Sequence, residues 1–563
     1  MAGMAVVNVV KPNRYQDSVT LMQIAVQLRE LEGIEDAALM MGTQPNRELL
    51  HEAGLLTPEG RSAGPNDLIV ALRGTEEAVQ KASDQVEQML IGMGARSRLL
   101  FALRGASGQV EQVLKGGETA GTGGERAGYT GYAGYPQRPP HTLPGGLAAF
   151  AQANLALISV PGIYAAAEAR KALKQGLHVM LFSDNVAVED EVALKRLAAE
   201  RGLLMMGPDC GTAIIGGVPL GFANVVRRGS VGVVGASGTG MQEVTALVHR
   251  YGAGISHAIG TGSRDLSAPV GGLMTLAAMK ALLDDPATSV LVVVSKPPHP
   301  DVARRVVEAA SNAAKPVVLA FPGMEVEGLL PAEARSTSTP VLARTLEEAA
   351  LRAVELAGIG VPSDPGARER DRALEEIAVR EASRLAPTQK YVRGLFSGGT
   401  FCYETMLILR QALGPVYSNT PLMPQWALPR PAHTRGRHAC LDLGSDEFTL
   451  GRPHPMIDMS LRVRHILEEA ADPEVAVLLL DVVLGYGAHP DPARELAPAI
   501  ATATERAASG GRHLAVVAHV CGTEHDPQGL ERQERALTEA GAVLAPGNAS
   551  AARLAAYIAT QCT

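Results

Sequence analysis

The 563-residue sequence is poor in aromatic residues, which make up 4% of it, and Trp426 is its single tryptophan. It has no basic stripe and no interleaving of aromatic with basic residues, and its net charge is −8. A general nucleic-acid surface is therefore excluded. The five cysteines, Cys210, Cys402, Cys440, Cys521 and Cys562, form no C-x-x-C pair and no regular framework, so a reducing, cytoplasmic compartment is expected. No apolar run approaches the roughly 20 residues that span a bilayer. The opening MAGMAVVNVVKPNRYQDS has no basic region ahead of its short apolar run, so neither a signal peptide nor a membrane anchor is expected. The histidines lack H-x-x-x-H and H-E-x-x-H spacing. Cys521, Glu524, His525 and Asp526 crowd together, but adjacent residues rarely converge on one ion, and no metal is expected.

What is present is ordinary globular composition, 46% hydrophobic and 20% charged, in a chain long enough for about two to four domains. Residues 1–113 read as an N-terminal α+β module close to βαββαβ, with a strand at 4–10 and a helix at 17–32. Residues 114–143 are a Gly/Pro-rich linker. From 144 onward, short apolar runs alternate with helical patterns, the signature of α/β folds with parallel sheets. This part divides into a Rossmann-type domain at 144–228, a second domain at 229–361, a charged helical linker at 362–386 and a last domain at 387–563. In such folds ligands bind at the carboxyl edge of the strands.

The chain repeats itself. GVVGASGTGMQEV (232–244) resembles RGLFSGGTFCYET (393–405), VLVVVSKPPHPD matches VAVLLLDVVLGYGAHPD, and KPVVLAF matches LAVVAHV, in the same order. The first pair places Ser237, Gly238 and Thr239, and then Ser397, Gly398, Gly399 and Thr400, where a strand turns into a helix. Free N–H groups and the helix dipole at such starts favour an anion. Neither loop is a Walker loop or a clean G-x-G-x-x-G. Phosphate held between two such helix starts is the expectation. MMGPDCGT contributes Asp209 and Thr212 as polar ligand contacts, with Cys210 as a small residue of the loop, not a nucleophile. Lys296 follows a buried strand and can supply positive charge, whereas His299 and His489 read as turn residues.

LGSDEFTLGRPHPMID (443–458) is too polar for a buried strand and too rich in proline for a helix. Its prolines would hold Arg452 and His454 stiffly. Arg452 and Arg264 are candidate clamps for phosphate or carboxylate, His454 is a candidate proton shuttle, and Lys296 completes the catalytic candidates. Asn185, Gly444, Asp446, Gly485 and Gly487 complete the expected substrate-binding set.

These motifs resemble the succinyl-CoA synthetase superfamily, the NDP-forming acyl-CoA synthetases. Residues 150–355 look like the α subunit and 388–560 like the carboxy-terminal part of the β subunit. SDNV, GASGTG, HAIGTGSRDLS, VSKPPH, TLGRPHPMID and GTEHDPQ are similar to the FdrA family within it. The resemblance implies succinyl-CoA synthetase-like Rossmann-type and flavodoxin-like domains. It also implies a component of an oxamate carbamoyltransferase in allantoin breakdown, working with two other subunits on a small-molecule substrate, with self-association left open. That reaction interconverts oxalurate and phosphate with oxamate and carbamoyl phosphate.

The chain departs from the synthetase pattern. Residues 321–341, where the synthetases carry a phosphorylated histidine, contain no histidine. The glutamate that steadies it, the ATP-grasp domain and the Gly-rich CoA loop have no counterpart either. No cofactor is therefore required in the chain: phosphate or carbamoyl phosphate is the expected substrate, and CoA the less favoured ligand. The runner-up is an acid–CoA ligase subunit that borrows its nucleotide half from a partner. A non-catalytic scaffold is the third reading.

Overall fold

The computed structural model describes residues 4–14, 16, 18–29, 31–102, 140, 142–324, 339–360, 365–429, 434–449 and 453–561. The linker expected at 114–143 falls almost entirely outside the described residues, and Arg452 lies outside them. The chain divides into two compact units, residues 1–160 with 167–179, and residues 161–166 with 180–563.

In the first unit, strands Met4–Lys11, Ile34–Met41 and Leu68–Thr75 form an antiparallel sheet with Leu68–Thr75 in the centre. Alternation along this central strand serves two cores. Leu68, Val70 and Leu72 pack with Leu21, Ile24 and Leu28 of helix Ser18–Arg29 and with Val79, Ala82 and Val86 of helix Glu76–Ala102. Ile69 and Ala71 face Leu50, Leu55 and Ala63 on the other side. The order is thus strand–helix–strand–helices–strand–helix, with three strands among the described residues where the βαββαβ expectation needed four. The segment 44–61, expected to hold one helix, holds two, Gln44–Glu52 and Pro58–Arg61, each with proline in its first turn.

The second unit is built on two sheets. One runs Val341–Ala343, Val317–Ala320, Val290–Val294, Arg228–Gly235, Ile255–Gly260, Thr212–Ile215, Val218–Gly221. Its first five strands are parallel, and the last two close the edge as an antiparallel hairpin. The other runs Val416–Ser418, His438–Asp442, Tyr391–Phe396, Val475–Val483, Ala515–Cys521, Ala542–Ala545 and is parallel throughout. The strands matched by repeat, 228–235 with 391–396, 290–294 with 475–483 and 317–320 with 515–521, hold equivalent sheet positions. Val475–Val483 is buried along its whole length, as a central parallel strand covered on both faces must be. The charged segment expected to be helical at 362–386 contains helix Pro365–Ala382.

The repeat extends to how the halves lock together. Glu243, in the second turn of helix Gly238–Arg250, accepts the N–H of Asn548 at 3.0 Å, at the start of helix Asn548–Thr560. Its counterpart Glu404 accepts the N–H of Leu346 at 2.7 Å, at the start of helix Leu346–Leu356. Each half therefore caps the last helix of the other, satisfying N–H groups that a helix start leaves unpaired. Burial pushes Glu243 up to about 8 and Glu404 up to about 7, so both act as buried structural acceptors.

Candidate functional site

Both Gly-rich loops turn into helices as the spacing predicts. Ser237 is the N-cap of helix Gly238–Arg250, its hydroxyl accepting the Gly240 N–H at 3.0 Å. Gly398 is the N-cap of helix Gly399–Leu413 and has no side chain to do the same. The two helix starts touch in a pseudo-symmetric way, each threonine meeting the opposite N-cap. Thr400 Oγ1 lies 2.6 Å from Ser237 Oγ. Thr239 packs on Gly398 so closely that a Cβ there would sit 2.7 Å from its Cγ2. The first-turn N–H groups of Gly238, Thr239, Gly399 and Thr400 have no acceptor among the described residues. Thr212 stands beside the first loop, 3.2 Å from where a Cβ on Gly238 would be.

The second loop corrects part of the expected cradle. The Ser397 N–H and hydroxyl donate to Asp481 at 2.9 and 2.6 Å, and the Gly398 N–H donates to it at 3.2 Å. Asp481 is fully buried on strand Val475–Val483 and paired with Arg462 at 3.0 Å. The chain's own carboxylate already fills the anion position at Ser397–Gly398, which leaves Gly399 and Thr400 as the free donors of this loop. Asp481 and Arg462 escaped the sequence reading, although one acid inside an apolar strand signals a paired charge.

Lys296 and Asp442 flank the second helix start. A Cβ on Gly399 would lie 3.0 Å from Lys296 Nζ and 2.5 Å from Asp442 Oδ2. Burial raises the Asp442 pKa, and the Lys296 charge opposes that shift. Lys296 is exposed and forms no direct salt bridge among the described residues.

The loop 443–458 lies against this group and includes a one-turn helix, Asp446–Thr449, that its composition did not announce. Gly444 is wedged where a Cβ would sit 2.5 Å from the Ser397 carbonyl oxygen and 2.8 Å from His454 Nε2. The His454 ring packs near Phe222, with centroids 6.0 Å apart, and its Nδ1 accepts the Met456 N–H at 3.2 Å. Part of the residue stays accessible, yet protein atoms crowd the ring and desolvation pushes its pKa down to about 4. At neutral pH it is an imidazole with its proton on Nε2, which suits donation more than uptake.

A further wall is acidic. Asp209 adopts a left-handed backbone with φ 55° and Asn185 one with φ 53°. The negative charge of Asp446 acts on Asp184, Asp209 and Asp442 alike. Asp209 is solvent-exposed although protein atoms surround it on most sides, as on the wall of a cleft; desolvation pushes it up to about 6.

Three other expected contacts are committed elsewhere. Arg264 donates to Glu191 at 2.9 Å and to the Val186 carbonyl at 2.7 Å, so it is tied into a network in which buried Lys195 bridges Glu191 and Asp265. Gly485 and Gly487 pack against Phe222–Ala223: Cβ atoms there would meet the Ala223 carbonyl oxygen at 2.6 Å and the Phe222 ring at 2.8 Å. The Tyr486 N–H between them donates to Ala223 at 2.9 Å. They join the two halves rather than face a ligand. Cys210 is buried, with its thiol pushed up to about 12, which removes it as a nucleophile. His299 and His489 each accept a backbone N–H two residues on, the turn role their sequence context suggested.

His249, Glu524 and His525 are near enough to offer three metal ligands. However, His249 Nδ1 accepts the Arg227 N–H at 2.7 Å, which leaves the proton on Nε2, 2.8 Å from Glu524. A metal would need that nitrogen's lone pair.

Comparison with known proteins places these loops in a family. Residues 395–558, holding the second loop, match the family described as CoA-ligase; residues 226–323, holding the first, match the CoA binding domain. The chain is 42% identical over 552 residues to the uncharacterized protein YahF of Escherichia coli (strain K12), covering 98% of both chains. The chain belongs to the succinyl-CoA synthetase-like CoA-ligase superfamily, in one family with YahF. A second relative is the mitochondrial succinate–CoA ligase [ADP-forming] subunit alpha-2 of Trichomonas vaginalis, 26% identical over 38% of this chain and 70% of that one. In this CoA-ligase superfamily member, residues 4–99 also match a domain described as AllF, heavy metal-associated. The donors there do not fit a soft metal: the module has no cysteine, and His51 is its one imidazole.

Proposed function

We propose that this CoA-ligase superfamily member is the phosphate-binding, FdrA-type component of a carbamoyltransferase that works with two further subunits. It cleaves oxalurate with phosphate to oxamate and carbamoyl phosphate, without a phosphohistidine. The observation that carries this reading is the meeting of two helix N-termini at Ser237 and Thr400, 2.6 Å apart. Phosphate is held by the N–H groups of Gly238, Thr239, Gly399 and Thr400, with the Thr239 and Thr400 hydroxyls turned to it. Lys296 balances its charge. Donors fixed in this way stabilise charge as a phosphate oxygen attacks the carbamoyl carbon. The residues 321–341 supply no histidine for a relay, so the anion itself takes the position that a phosphorylated side chain holds in the synthetases.

A second reading, an acid–CoA ligase subunit, is favoured by the two family matches and by the succinate–CoA ligase relative. A CoA phosphate presents the same oxygens to Gly238 and Thr239 as inorganic phosphate does. When bound, CoA would supply the thiol that accepts the acyl group.

The purified chain with its two partner subunits, given oxalurate and phosphate, separates the readings. Carbamoyl phosphate formed in proportion to oxamate supports the transferase. A CoA thioester formed from a carboxylic acid, ATP and CoA, with no phosphate-dependent cleavage, replaces it with the ligase.

A further inference from the structure

The proton in such a transfer needs a carrier, and His454, the residue expected in that role, has its Nδ1 engaged by the Met456 N–H. Asp209 is placed differently. Its loop is anchored by the Asp209 N–H to the Ser183 carbonyl at 3.0 Å and by the Cys210 N–H to the Leu181 carbonyl at 3.2 Å. Its backbone is held in the left-handed region at φ 55°, sparsely populated for a non-glycine residue and often found at functional sites. The groups facing it are the Ser263 hydroxyl, the carboxylates of Asp184 and Asp446, and the guanidinium of Arg264. Asp446 also faces Asp442, which flanks the second helix start with Lys296. Asp209 therefore lies on the wall of the cleft that opens on the anion cradle, and solvent reaches it.

We infer that Asp209 is the catalytic acid–base of this site, giving a proton to the leaving nitrogen and taking one from phosphate. The inference rests on the function proposed above. A phosphate oxygen bonds to the ureido carbonyl carbon and the carbon–nitrogen bond to oxamate breaks. The departing nitrogen takes the Asp209 proton, and the phosphate hydroxyl returns one to the carboxylate, so atoms and charge balance. Crowding by protein atoms, with Asp184 and Asp446 adding to it, raises Asp209 to about 6, close to the range where a carboxyl both gives and takes protons readily.

The test uses the full chain and two readouts. Sulfate, which does not titrate near neutrality, is bound calorimetrically between pH 6 and 7.5 in buffers of differing ionisation enthalpy. An anion entering the cleft raises the Asp209 pKa further, so wild type takes up a fraction of a proton per sulfate bound, and Asp209→Asn takes up none. In the reconstituted complex, Asp209→Asn lowers kcat about 100-fold or more with KM for phosphate little changed, and Asp209→Glu restores part of the rate. Equal proton uptake in wild type and Asp209→Asn, or an unchanged kcat, overturns the role of Asp209 while leaving the anion site standing. Absence of sulfate and phosphate binding in wild type overturns the site and the proton role together.

Discussion

Replacing Asp481 with alanine tests the most unexpected feature of the site, a buried carboxylate that fixes the second loop from inside. The substitution leaves Arg462, whose side chain is 1% exposed, without its counter-ion. Breaking a buried pair from one side costs about 3–5 kcal/mol. The N–H groups of Ser397 and Gly398 and the Ser397 hydroxyl lose their acceptor as well. Each adds about 1–3 kcal/mol where water does not replace it. Trp426, the single tryptophan, lies in the same half of the chain, so its fluorescence in urea reports the unfolding of that half. With an m-value of about 3 kcal/mol/M, the midpoint falls by about 1 M or more. The double variant Asp481→Leu with Arg462→Met removes both charges and recovers much of that loss, because an apolar pair can replace a buried ion pair. It does not recover phosphate binding, since the loop has lost its anchor. A midpoint within a few tenths of a molar of wild type for Asp481→Ala, or a double variant as unstable as the single one, would refute the reasoning.

Three other outcomes follow from the geometry. The folded-state pKa values of Glu243 and Glu404, pushed up by burial to about 8 and about 7, lie above the ordinary carboxyl value of 4.5. The folded state thus binds more protons, and the stability tied to these groups, complete below pH 4.5, is lost as pH rises through about 7 to 8. Glu404→Gln flattens that slope in urea titrations from pH 5 to 9, and an unchanged slope contradicts it. Ser237→Ala removes both an N-cap and the contact to Thr400; it costs about 1 kcal/mol, and Thr400→Val weakens phosphate binding about tenfold or more by calorimetry. Arg264→Leu frees Glu191 from its partner and lowers the urea midpoint, while phosphate affinity changes less than threefold, because this guanidinium serves the Glu191–Lys195–Asp265 network.

The α/β frame was readable because apolar runs, glycine turns and helical spacing are local signals. The repeat was readable because both halves use them in the same order, and matched strands take equivalent sheet positions. The site was readable only in part. Ser237, Thr239, Gly399 and Thr400 announce themselves as a strand becomes a helix. The partner of Ser397, Asp481, is 84 residues away, and no spacing rule connects them. Gly485 and Gly487 looked like ligand-binding glycines because close approach demands glycine whether the neighbour is a ligand or, as here, Phe222–Ala223. Arg264 looked free because its partner Glu191 lies on a helix 73 residues earlier. In the N-terminal module the strand count was overread, since a short polar segment between two strands gave a pair of proline-started helices.

The central claim, that two helix starts hold a phosphate that reacts directly, is tested most directly by following isotopically labelled inorganic phosphate in the reconstituted complex with oxalurate. The account predicts label in carbamoyl phosphate, formed without ATP or CoA, with no label on the protein and with the rate at least tenfold lower in Thr239→Val. Label on a histidine of the chain, or turnover that requires ATP and CoA and yields a thioester, would contradict it.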